Sequence, residues 1–215
     1  MKSILLIGLG RFGKHIAMRL NEMNQQGMAI DKDEEKVNFI LPFVTNAQIG
    51  DSTNEEFLES LGVRNFDVCV VAIGSDFQSS LETTSLLKEM GAQKVISRAA
   101  RDVQAKFLLR NGADEVVYPE KEMANWTAVK CCGNNIVDYV ELEEGYAVIE
   151  TRVPKNWENR TVGDIDIRRK YNVNVIGIKK EDRMIFEVAS STVLETGDIA
   201  VLMGKYDDIQ KVIRK

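Results

Sequence analysis

Residues that carry chemistry are scarce in this chain. A single histidine, His15, stands among 215 residues, and the three cysteines are Cys69, inside an apolar run, and the adjacent pair Cys131-Cys132. No CxxC or CxxH spacing exists, which excludes a zinc centre built from Cys and His. Neighbouring cysteines bridge each other only with strain, so reduced structural thiols are the default and a redox role for the pair is the alternative. No tyrosine has a lysine four positions further on, so an acid–base pair of that spacing beside a nicotinamide is absent. The longest apolar run, Val68 to Ile73, is far short of the roughly 20 residues a membrane helix needs. No basic segment followed by an apolar one opens the chain, and repeats and low-complexity stretches are missing. The net charge of −5 comes without a basic tail, which argues against a nucleic-acid backbone as principal partner. The expectation is a cytoplasmic protein without direct membrane insertion.

What is present is an alternation. Hydrophobic residues make up 44% and charged residues 28%, an ordinary globular balance, and the length suits one large and one small domain. Through residue 133 apolar runs alternate with helix-period segments: "SILLIG", "GMAID", "NAQIGD", "FDVCVVAIG", "KVISRA" and "DEVVY" read as strands, each followed by a helix. Pro119 opens the last helix, which runs to Cys132, at a position where its missing N–H costs nothing. Six such units predict an α/β fold with a doubly wound parallel sheet, whose crevice lies at the carboxyl ends of strands one and four. The rhythm changes at Gly133 to Asn135, the candidate hinge. Short strands "YAVIETRV", "VNVIGIKK", "RMIFEVA" and "DIAVLMG" then dominate, with helical segments around "VGDIDIRRKY" and "YDDIQKVIRK". The expected domains are 1–133 and a small α+β domain, 134–215.

The first strand runs into "IGLGRFG", three glycines that follow a strand, open a helix and precede a strand-end acid, Asp31. Gly8 permits the tight turn, Gly10 lets backbone approach phosphate oxygens, and Gly13 lets helix and strand pack closely. The helix N-terminus offers N–H groups and partial positive charge to an anion. Asp31 is placed to accept from ribose hydroxyls and to repel a 2′-phosphate, or else to cap the next helix. Asp51 and Ser52 after the third strand face the adenosine half, and Ile73, Gly74 and Ser75 after the fourth face the phosphates; ordinary turns and caps are the alternative for both. Phe12 and Lys32 fall at neighbouring positions of the same crevice. Arg11 stands out: a guanidinium in a loop whose amides already serve a pyrophosphate makes sense where further phosphate charge arrives, as in ATP or ADP. Otherwise it is a solvated side chain. His15 reads as a helix-surface or packing residue. A nucleotide crevice without catalytic groups suggests a sensor.

These residues carry a resemblance. "IGLGRFG", Asp31, "VRNFDVCVVAIG", "GADEVVYPEKEMA" and "TVGDIDIRRKYNVNVIGIKK" resemble the RCK subunits (regulators of potassium conductance) of Ktr/Trk-type potassium uptake systems, over essentially the whole chain. The resemblance implies a Rossmann-like N-terminal domain and a smaller C-terminal regulatory domain. It implies homodimers assembled into an octameric ring on the inner face of a membrane potassium translocator. ATP and ADP, and in some members NAD(H), compete for the N-terminal crevice. Arg11 matches an arginine that meets terminal phosphates, and Arg98, Ala100 and Gln104 match further nucleotide-contacting positions. Glu120 matches a glutamate that helps hold a divalent cation beside ATP. Ile167, Arg168 and Asn174 match a cyclic di-AMP site of some members. Two other classes stay open: a small NAD-dependent dehydrogenase and a redox-responsive DNA-binding repressor, the latter lacking a basic helix-turn-helix.

Overall fold

The computed structural model describes residues 1–132, 135–181 and 183–213. They form two compact units, Met1–Lys121 and Glu122–Lys215.

The first unit follows the expected alternation: β1 (Ser3–Ile7), α1 (Arg11–Glu22), β2 (Gln26–Asp31), α2 (Glu34–Ile40), β3 (Asn46–Ile49), α3 (Glu55–Ser60), β4 (Val68–Val71), α4 (Phe77–Glu89), β5 (Val95–Arg98), α5 (Asp102–Arg110), β6 (Glu115–Val117) and α6 (Pro119–Cys132), which continues past the unit's end. The strands make one parallel sheet in the order β3-β2-β1-β4-β5-β6. Both faces are covered, which is why β1 is apolar at successive positions rather than at alternate ones. Leu5 and Ile7 pack against Leu58 of α3 and Leu87 of α4, while Ile4 and Leu6 pack against Ala17 of α1 and Val37 and Ile40 of α2. Adjacent side chains of one strand thus enter opposite cores. The strand order reverses between β1 and β4, and that reversal leaves a crevice above their carboxyl ends.

In the second unit the strands β7 (Ile136–Glu141), β8 (Tyr146–Arg152), β10 (Asn174–Lys180), β11 (Arg183–Ile185) and β13 (Ile199–Lys205) form an antiparallel sheet ordered β11-β10-β13-β8-β7. The short β9 (Arg160–Thr161) and β12 (Val193–Leu194) pair separately, and α7 (Val162–Ile165), α8 (Ile167–Tyr171) and α9 (Tyr206–Ile213) supply the helices. One sheet face buries Ala147, Ile149, Ala200 and Leu202 with Trp157, Ile165, Ile209 and Val212. That is the period-two burial of a half-covered antiparallel sheet.

Three local expectations change. "VGDIDIRRKY" is two short helices, broken where Asp166 turns left-handed at φ 55°. "RMIFEVA" contracts to the three residues of β11 at one sheet edge, and β7 at the other edge is an additional strand. Edge strands pair on one side only, so little apolar pattern is required of them. Of the candidate hinge, Gly133 and Asn134 lie outside the described residues. The units part between Lys121 and Glu122 because the later turns of α6 belong with the second: Trp126 donates through Nε1 to Asp138 at 3.0 Å, and Val129 packs on the second core.

Candidate functional site

The crevice of the first unit is a cleft of about 650 Å³ at the carboxyl ends of the parallel strands. Its floor is the turn from β1 into α1. Gly8 takes φ +94°, and a Cβ there would press within 3.0 Å of the Ile73 nitrogen. A Cβ on Gly13 would lie 1.9 Å from the Gly8 carbonyl oxygen, so helix and loop meet at a distance only glycine allows. Gly13 is therefore buried under the cleft rather than lining it. Gly10 is the N-cap of α1 with no side-chain cap, and nothing lies within 4 Å of where its Cβ would be. The first-turn amides of α1 thus face an open space, with the positive end of the helix dipole behind them.

Asp31 ends β2 and is only 10% exposed at its side chain. Its Oδ2 accepts from the Leu9 N–H at 2.7 Å, inside the glycine loop, and its Oδ1 accepts from the Asp33 N–H at 3.0 Å. Asp33, not Asp31, caps α2 by accepting from the Glu35 N–H. Lys36 Nζ lies 3.2 Å from Asp33 and 3.6 Å from Asp31, and lines the cleft beside Lys32. The Lys36 partnership holds the Asp33 carboxyl below its usual range.

After β3, Asp51 folds back on its own turn, accepting from the Thr53 N–H and hydroxyl, which together depress its pKa; Asn54 is the cap of α3. The Ser52 hydroxyl is 2.8 Å from that of Thr83 on α4, so it ties two cleft walls together. Beyond β4 come Ile73, Gly74 and Ser75, then Asp76, which caps α4 through the Ser79 N–H and hydroxyl. Opposite stands Arg98 at the end of β5, 18% exposed at its side chain, its guanidinium 5.8 Å from the Phe12 ring centroid and paired with Glu120 in the first turn of α6. Arg11 is exposed at the rim, with no carboxylate at ion-pair distance among the described residues.

The structure thus brings Gly8, Gly10, Arg11, Phe12, Asp31, Lys32, Asp51, Ser52, Ile73, Gly74, Ser75, Arg98 and Glu120 around one space. Ala100 and Gln104 lie outside its lining: buried Gln104 accepts the Ala100 N–H at 3.0 Å and fixes the turn into α5. Lys36, Asp76 and Ser79 line the cleft without having been singled out in the sequence; an aspartate between an apolar strand and a helical period is an N-cap signal that marks Asp76 with Ser79 in its first turn, whereas nothing in the sequence marks Lys36. In the second unit the Ile167 side chain packs in the core, while Arg168 and Asn174 are exposed on α8 and β10. His15 is exposed on α1. Cys69 is buried in β4, its thiol pushed up to about 12 by burial, and Cys131 and Cys132 are exposed.

Chemically the cleft can hold an anion locally, although its two arginines and two lysines share the lining with four carboxylates, Asp31, Asp51, Asp76 and Glu120. The donors lie in the uncapped helix start, in rim-exposed Arg11 and in a buried Arg98 Nε without a hydrogen-bond partner among the described residues. Phosphoryl oxygens fit that donor set. No group of three or more His, Cys, Asp and Glu poised for a metal occurs among the described residues. A divalent cation at Glu120 would therefore draw its other ligands from phosphate and water, as magnesium commonly does.

Comparison with known proteins follows the two units. The TrkA-N domain family matches residues 4–119, and the TrkA-C domain family matches residues 148–215. The chain is 40% identical over 210 residues to the Ktr system potassium uptake protein C of Bacillus subtilis (strain 168), covering 98% of this chain and 95% of that protein. Among solved structures, the GsuK channel matches with a TM-score of 0.73 at 15% identity, over 99% of this chain and 39% of that one. A GsuK channel bound to NAD matches with a TM-score of 0.51 at 20% identity, over 100% of this chain and 38% of that one.

Proposed function

We propose, from the premise that this chain belongs to the family of Ktr system potassium uptake proteins built from a TrkA-N and a TrkA-C domain, that it is a nucleotide-sensing regulatory subunit. It works on the inner face of the cell membrane, as homodimers joined into an octameric ring that gates a separate potassium-translocating subunit. ATP and ADP compete for the N-terminal cleft, with NAD(H) as a further occupant, in keeping with the NAD held by one GsuK structure. Among the described residues no helix is long and apolar enough to cross a membrane, so the pore belongs to the partner in this reading.

The observation that carries the reading is the open, uncapped start of α1 beneath an arginine with no carboxylate partner among the described residues. Loop and helix amides take the first phosphates, and Asp31, already oriented by two N–H groups, keeps lone pairs for ribose hydroxyls. Arg11 reaches the terminal phosphate and so counts phosphates. A divalent cation bound with ATP would neutralise phosphate charge, with Glu120 as its protein ligand. Exposed Arg168 and Asn174 are the groups a cyclic di-AMP ligand would meet in the second unit. No bond need be made or broken: a ligand shifts the ring by its differential affinity for two shapes, and roughly 1.4 kcal/mol per subunit is already tenfold. Eight coupled sites multiply that bias.

Calorimetric titration of ATP, ADP, NAD, NADH and cyclic di-AMP, with recovery of the ligand and the protein's mass in solution, tests this. ATP and ADP are expected to compete for one site, return unaltered and change the assembly. Failure of every adenine ligand to bind, or steady turnover of NADH with a carbonyl substrate, overturns it.

A further inference from the structure

The Arg98–Glu120 pair lies in the cleft beside Gly74, the end that the nucleotide reading gives to the phosphates. The Arg98 guanidinium lies against Gly74, where a Cβ would come within 1.6 Å of its Nη1, and faces the Phe12 ring. Glu120 Oε1 accepts from Nη2 alone. Nε, on the same edge of the fork, is buried with no partner among the described residues. That edge, Nε with Nη2, is the one suited to a bidentate anion, and a single carboxylate oxygen leaves half of it unused. A phosphoryl group accepting from both donors would satisfy the orphan, and it would have to take Nη2 from Glu120 to do so. Burial pushes the Glu120 carboxyl up, but its own backbone N–H, Arg98 and Arg11 outweigh burial and hold it below its ordinary range, so it is an anion at neutral pH. Two anions on one fork edge repel.

We propose that Glu120 is the cleft's internal counter-anion: it holds Arg98 in the free protein, a ligand's phosphate must displace it, and it thereby lowers affinity for phosphorylated ligands that arrive without a divalent cation. The proposal rests on the nucleotide-binding reading above. It distinguishes two roles of opposite sign. A glutamate that only steadies Arg98 for the ligand weakens binding when removed, whereas a competitor strengthens it.

The experiment titrates ADP and adenosine, in EDTA, into the intact wild-type chain, Glu120→Gln, Arg98→Gln and the double variant, with thermal melts to confirm folding. Glu120→Gln is expected to bind ADP about 5- to 10-fold more tightly, about 1.0–1.4 kcal/mol. Its affinity for adenosine, which has no phosphate, stays at the wild-type value, and the double variant is as weak for ADP as Arg98→Gln. Equal or weaker ADP binding by Glu120→Gln, with wild type binding ADP normally, overturns the counter-anion role and leaves the nucleotide reading intact. A gain for adenosine as large as for ADP also overturns it, because the cleft has then merely loosened. No ADP binding by any of the four proteins overturns the nucleotide reading and this proposal with it.

Discussion

The two units bury their sheets in different ways, and the difference decides where backbone donors and loop side chains gather. In the first, all strands run one way with helices on both faces, so the carboxyl ends of five strands and the starts of α1 and α4 gather at one rim. In the second, neighbouring strands alternate in direction. Helices pack on one face, and Val140, Tyr146 and Met203 remain exposed. Parallel order concentrates backbone donors and loop side chains at one rim, whereas antiparallel order spreads strand ends over both rims.

Substitutions can break this contrast, taken from the largest expected effect to the smallest. Trp157→Ala, deep in the second core, is expected to cost ~3–5 kcal/mol of that unit's stability in urea unfolding. ADP affinity of the folded protein should stay unchanged, and a parallel loss of affinity would mean that the cleft is not the property of the first unit alone. Gly13→Ala forces a methyl onto the Gly8 carbonyl and is expected to cost at least about 3 kcal/mol, the upper end of overpacking. Gly10→Ala, with open space around it, should leave the urea midpoint nearly fixed while weakening ADP binding. Equal effects on stability from the two alanines would contradict the division between packing glycine and approach glycine. Asp31→Asn loses the charge on the acceptor that ties Leu9 and Asp33, expected to cost ~1–2 kcal/mol of stability, with ADP affinity falling alongside.

Asp114 gives the smallest measurable loss of stability, with a pH signature. Lys88 at 2.7 Å, and then the Val95 N–H, hold its carboxyl below the usual range. A lowered native pKa means that the unfolded chain binds the proton first. The contribution is therefore complete above the ordinary carboxylate value near 4 and is lost as pH falls through the native one. Asp114→Asn should lower stability at pH 7 by only about 0.5 kcal/mol, because the pair is partly exposed, and should flatten the acid limb of the pH–stability curve. An unchanged acid limb would remove Asp114 from the account.

Much of the first unit was legible because a parallel sheet demands long apolar runs. "SILLI" and "VCVV" could be little else between helical periods, and the glycine spacing with Asp31 located the cleft. The second unit was less so. β7 carries strand formers in Ile136, Val137, Tyr139 and Val140, but they do not alternate with polar residues and its pairing shifts register between Ile136 and Asp138, while Asp166 breaks a helix by a backbone conformation that composition does not announce. At the cleft, residue types were readable but partners were not. That Asp31 serves Leu9 as well as any ribose, that the Ser52 hydroxyl is taken by Thr83, and that Arg98 is already occupied are facts of tertiary placement.

Arg11 is where the central claim can be tested most directly. The measurement is the ratio of ATP to ADP dissociation constants for wild type and Arg11→Ala under identical magnesium and salt. Phosphate counting predicts that the ratio collapses toward one while ADP affinity falls much less than ATP affinity. An equal loss for both nucleotides, with the ratio preserved, would contradict it.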